Sequence, residues 1–194
     1  NHAVFLLRGQ DSGATELFFR ALARQSWFLS KRWHRAPPGL QRFEALTGLL
    51  TAGLSLEGQE ALADPAVRAL GQDCDTQIDA QGGVPSRNPE ELLEVFMLLT
   101  WAAAALHEAG RGVPPAHARA IERIAPTLRA LRHSDGALAR FHGGGRGLDG
   151  RLDHALAASQ VKPQPMQGLA MGYARLSAGR TTVIVDAAPP PRGA

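Results

Sequence analysis

The chain has 194 residues, 44% of them apolar, which is enough to bury the core of one domain or of one domain with part of a second. Its net charge is +3, from 21 Lys and Arg against 18 Asp and Glu, and the basic residues are scattered, so a nucleic-acid partner is not predicted. The single Cys74 excludes an internal disulfide bond, and no segment reaches the roughly 18 consecutive apolar residues of a membrane span. No Cys-x-x-Cys or Glu-x-x-His spacing occurs, so neither a metal site nor a cofactor is predicted.

Helices are predicted for most of the first two-thirds of the chain. Apolar residues recur at helical spacing in segments 14–33, 40–54, 58–80 and 115–132, and Gly and Pro residues separate these segments. Such a series of similar helices is typical of antiparallel helical hairpins in a bundle, a solenoid or an α/α toroid.

The longest apolar segment follows a glycine-containing turn at 81–88. Asn88 is predicted to cap a helix whose first position is Pro89, and the dense apolar residues that follow predict burial on most of its surface. Arg87 and Asn88 at the start of such a helix could bind an anion, because the helix dipole is positive there. They could equally well cap the helix and face solvent.

The pattern changes at His133. Residues 137–142 predict a strand, 143–147 a glycine-rich loop and 149–159 a short helix, while the alternation and β-branched residues of 172–186 predict a hairpin. We therefore expect an α domain at 1–132 and the start of a β domain at 133–194. Because the chain begins at Asn1 and stops just after a predicted strand, we expect it to be a fragment of a longer protein.

Three segments resemble bacterial heparinase II/III-type proteins. They are DAQGGVPSRNPEELLE at 79–94, LRHSDGALARFHGGGRG at 131–147 and GYARLSAGRTTVIVDAAPPP at 172–191, and the resemblance extends over nearly the whole chain. It implies a polysaccharide lyase in which substrate lies between an α/α toroid and an antiparallel β-sandwich. This chain would then hold an incomplete toroid and the first strands of the sandwich, in a periplasmic or cell-envelope protein.

The resemblance also implies β-elimination on a uronic-acid-containing polysaccharide. In that family an Asn or Gln neutralises the carboxylate, and a His or Tyr transfers the proton, so the catalytic candidates are Asn88, His142 and Tyr173. The substrate-binding candidates form a second set: Arg87, Arg146, Asn1 and His2. The implied partner is an acidic polysaccharide.

The same residues allow other interpretations. Tyr173 could pack within the hairpin, and His142 could lie in a linker loop beside its glycines. Tyr173 is the only tyrosine and lies outside the helical segment where the family has one. The alternative is therefore a non-catalytic descendant of the lyases that binds acidic glycan or acts as a cell-envelope scaffold. A helical scaffold that binds protein is a third possibility, and the oligomeric state stays open.

Overall fold

The computed structural model describes residues 12–145 and 147–191, which form a helical body followed by a two-stranded antiparallel sheet. Within these residues the helices are α1 (Ser12–Ser30), α2 (Leu40–Ser55), α3 (Ala63–Gln77), α4 (Pro89–Glu108), α5 (Pro115–Ala130) and α6 (Arg151–Ala158), and the strands are β1 (Tyr173–Ala178) and β2 (Thr181–Asp186). Short 3-10 turns precede α2 and α3. No described helix is long and apolar enough to cross a membrane.

Helix α4 forms the centre of the core. It packs against α2, α5 and α6, while α3 closes the bundle against α2 and α5. Leu92, Phe96 and Leu99 are fully buried, as the density of apolar residues predicts, whereas the Trp101 side chain is 53% exposed. The burial of α4 on three sides explains why its sequence has no polar stripe.

The hairpin pairs Tyr173 with Asp186 at one end and Ala178 with Thr181 at the turn. One face contacts the helical core through Tyr173 and Ile184. The other face is exposed at Leu176, Val183 and Val185. Two strands alone rarely form a stable sheet, so this hairpin depends on its contacts with the helices.

The predicted class, mainly α with β at the C-terminal end, is confirmed. The strand predicted at 137–142 is wrong, since Leu138 makes only an isolated bridge with Arg132. A tight turn directly after α5 causes this: His133 donates to Ala137 O and Ala139 donates to Leu131 O, which returns the chain along the helix end. The described residues show neither a toroid nor a sandwich. The division into domains 1–132 and 133–194 stays a prediction.

Replacing Phe96 by alanine is expected to lower the free energy of unfolding by about 3–5 kcal/mol, because Phe96 is fully buried at the centre of the bundle. Trp101→Ala on the same helix is the matched control and should change it by less than about 1 kcal/mol, since this side chain is half exposed. Urea unfolding followed by circular dichroism would measure both values. Equal losses for the two variants would contradict the central position of α4.

Candidate functional site

The turn before α4 is held by Asp79. Its Oδ1 accepts hydrogen bonds from the backbone N–H groups of Gln81 (2.9 Å) and Gly83 (2.7 Å). Gly82 has a φ of +76°, and a Cβ at this position would lie 2.1 Å from the carbonyl oxygen of Arg123 in α5. Glycine is therefore needed here so that the turn can pack against a neighbouring helix.

Asn88 caps α4 as predicted. Its Oδ1 accepts hydrogen bonds from the backbone N–H groups of Glu90 (2.9 Å) and Glu91 (3.2 Å). The glycine-rich loop lies against this cap, since a Cβ on Gly144 would be 2.5 Å from Asn88 Oδ1 and the Gly145 N–H donates to Glu90 Oε2 at 2.6 Å. The carboxylate of Glu90, in the first turn of α4, therefore already lies at the positive end of the helix dipole.

Arg87 joins the helical body to the end of the chain. Its side chain is buried and its φ is +54°, a conformation that non-glycine residues rarely adopt. Its Nε donates to Met171 O at 3.1 Å, Nη1 donates to Pro189 O at 2.6 Å and Ala188 O at 3.4 Å, and Nη2 donates to Asp186. The guanidinium is thus bound by the chain itself on three sides.

Tyr173 completes this connection from the other direction. It is 1% exposed, its hydroxyl donates to the backbone oxygen of Arg87 at 2.7 Å, and its ring stacks on Phe141 with centroids 4.4 Å apart. The Arg87 guanidinium lies 4.8 Å from the ring centroid. Burial raises the pKa of Tyr173 to about 12, against the opposing effect of Arg87, so the hydroxyl stays protonated near neutral pH.

His142 lies at the edge of the same group. Its Nε2 is 3.4 Å from Asp186 Oδ2, and its ring is 6.4 Å from that of Tyr173. The hydrogen bond from Arg87 is the main cause that lowers the pKa of the Asp186 carboxyl, and the His142 contact adds to it. We name Arg87, Phe141, His142, Tyr173 and Asp186 the Arg87 cluster.

Within the described part of the chain, the predicted site residues Arg87, Asn88, His142 and Tyr173 do not share either of two nearby cavities. Arg87 borders a cavity of about 390 Å³ whose wall also contains Asp75 and Asp79, so an acidic sugar there would meet two carboxylates. Tyr173 borders a different cavity of about 310 Å³. Asn88 and His142 line neither of these two. In the described part of the chain, no three His, Cys, Asp or Glu side chains are placed to hold a metal ion.

Three predicted substrate-binding residues, Asn1, His2 and Arg146, lie outside the described residues. The sequence reasoning missed Asp186, which binds both Arg87 and His142. A signal was available, because the hairpin register places Asp186 opposite Tyr173.

The chain is similar to FtsZ-localized protein C of Caulobacter vibrioides (strain NA1000 / CB15N), with 34% identity over 184 residues. The alignment covers 94% of this chain and 32% of that protein, so the chain spans about a third of the length of this relative. No protein-family model matches the chain, and no solved structure matches it.

These comparisons overturn the lyase interpretation. The resemblance to heparinase II/III-type proteins, the β-elimination activity and the periplasmic or cell-envelope location are wrong, because the match is to a protein named for its localization with FtsZ and no family model supports a lyase. The expected acidic polysaccharide partner loses its support with them. The glycine turn that suggested the family is explained by the contact between Gly82 and α5, and the Tyr173 hydroxyl is explained by its bond to Arg87.

Replacing Arg87 by methionine is expected to lower the free energy of unfolding by roughly 2–4 kcal/mol, because it removes the cation that binds Asp186 and the donor to several carbonyl groups. Hydrogen exchange should show that amides of residues 173–186 lose protection while those of α4 keep most of theirs. Arg180→Met, at the exposed turn of the hairpin, is the matched control and should change neither quantity appreciably. Unchanged protection of the hairpin in Arg87→Met would contradict the role of the cluster.

Proposed function

We propose that this chain is part of a non-catalytic scaffold that binds protein at the bacterial division site. The observation that carries the proposal is the 34% identity with FtsZ-localized protein C over 94% of the chain. Similarity over 94% of the chain is too extensive to be confined to one helix or one turn. The name of that relative points to the cytoplasmic division site and to a protein partner, and it supports the same for this chain.

The arrangement of the Arg87 cluster supports a non-catalytic protein. The Arg87 guanidinium donates to Asp186 and to three backbone oxygens, and the Tyr173 hydroxyl is buried and donates to Arg87 O. A proton-transfer group must reach a substrate atom and titrate near the working pH. In this proposal Arg87, Asn88, His142 and Tyr173 therefore hold the hairpin and the start of α4 in place instead of acting on a substrate.

The architecture suits a scaffold as well. A bundle centred on α4 gives a rigid body, and it presents large apolar side chains such as Leu17, Trp27 and Phe28 to solvent. Exposed apolar groups of this size are typical of surfaces that bind other proteins. The toroid and β-sandwich that the lyase resemblance implied are not part of this proposal, because the resemblance itself is overturned.

A fluorescent fusion of the full-length protein that carries this chain is expected to concentrate at the division site in its own cells. Depleting FtsZ should disperse the fluorescence, because localization depends on a protein assembled there. Free fluorescent protein at the same expression level is the control. A fusion that is distributed evenly while FtsZ is present, with the fusion shown to be intact, would contradict the proposed function.

A further inference from the structure

One side of helix α1 packs against the rest of the protein. Phe18, Leu22, Ser26 and Leu29 recur every three or four residues, are buried or half-buried, and lie on the side that packs against α2. Leu29 contacts the core and lies beside Gly48 of α2. One apolar stripe of this kind is enough to hold an amphipathic helix on the surface of the core.

The opposite side of α1 is also rich in apolar groups. Leu17, Ala21, Arg24 and Phe28 follow one another at helical spacing and are exposed, and Trp27 lies beside them. Leu17 is 65% exposed, Trp27 62% and Phe28 56%. The row extends roughly 16 Å along the helix. We name these five residues the α1 face.

The α1 face is positively charged. Residues 12–35 contain five Lys or Arg and a single acidic residue, Glu16, which pairs with Arg20. Cations also lie over the exposed rings: Lys31 Nζ is 6.0 Å from the Trp27 ring centroid, and Arg32 Cζ is 5.1 Å from that of Phe28. The face thus combines Trp, Phe and Arg, the residue types enriched at protein interfaces.

We propose that the α1 face binds an acidic, partly apolar surface of a protein partner at the division site. The inference rests on the proposed function and adds the binding surface and the chemistry of the partner. Trp27 and Phe28 supply apolar contact, while Arg24 and its cationic neighbours select carboxylate groups.

Charge and arrangement argue against two other occupants. A second copy of this chain would place the same excess of cations against itself, which costs energy. An anionic membrane favours a helix with its apolar and cationic residues on separate sides. Here Arg24 lies between Ala21 and Phe28 in the same exposed row, and the second apolar stripe is already packed on α2.

The test uses the full-length protein as a fluorescent fusion and compares two double variants. The first, Arg24→Glu with Trp27→Gln, reverses one charge and removes one large apolar group on the α1 face. The matched control, Arg180→Glu with Leu176→Thr, makes the same kinds of change on the hairpin, where both residues are exposed. All four positions are exposed, so thermal unfolding should confirm that both variants fold as the wild type does. A single Phe28→Ala variant repeats the test without a change of charge.

We expect the α1 variant to lose the division-site signal, down to the level of free fluorescent protein. The hairpin control should keep the signal. Retention of the signal in the α1 variant and in Phe28→Ala would overturn the inference and leave the proposed function standing. Absence of the signal in the wild type would remove the proposed function and the inference together.

Two measurements with purified full-length protein separate the other occupants. Co-sedimentation with phosphatidylglycerol vesicles that the α1 variant abolishes would overturn the inference in favour of a lipid surface. A wild-type dimer that the α1 variant converts to a monomer would overturn it in favour of self-association. For a protein partner, two results are expected. The wild type is monomeric, or the α1 variant leaves its oligomeric state unchanged. The α1 variant also leaves the binding to vesicles unchanged.

Discussion

The position of the hairpin depends on one buried side chain, Arg87, which joins the start of α4 to a segment that lies 84 to 102 residues further along the chain. Its guanidinium donates to Asp186 at the end of β2 and to carbonyl groups on either side of the hairpin, while the Tyr173 hydroxyl returns a hydrogen bond to the Arg87 backbone. Two strands alone could not stay folded in water. The hairpin is therefore ordered because its polar ends are bound at the same point where Tyr173 enters the core.

This use of Arg87 determines what the surrounding residues can do. The end of α4 that could attract an anion is capped by Asn88 and faces Glu90, which in turn accepts a hydrogen bond from the glycine-rich loop. Groups that resemble a catalytic set in the sequence thus satisfy one another in the folded chain. The protein binding that we propose then falls to the outer surface, where among the described helices α1 offers the exposed row in which Trp and Phe side chains lie among cations.

The sequence predicted well what is encoded locally. The Asn88 cap, the helices and the hairpin follow from spacings of two to four residues, and the structure contains them. Contacts over long separations were not predicted. The bond between Arg87 and Asp186 spans 99 residues, and the hairpin register, which places Asp186 opposite Tyr173, does not indicate that Arg87 is its partner. The strand predicted at 137–142 does not form, and Leu138 makes only an isolated bridge. Pairing depends on the turn after α5 and on a neighbouring strand, and β propensity alone does not decide it. The need for glycine at position 82 was not predicted either, because it comes from the approach of the turn to the backbone of Arg123.

The most direct measurement of this account is the ionisation of Tyr173, which is the only tyrosine in the 194-residue chain. Its absorbance near 295 nm can be titrated with base while circular dichroism monitors the fold. The account predicts a pKa near 12, because the hydroxyl is buried and donates to Arg87 O. A midpoint near 10 while the helices remain intact is the value of a solvated tyrosine, and it would contradict the structure on which the assignment of these residues depends.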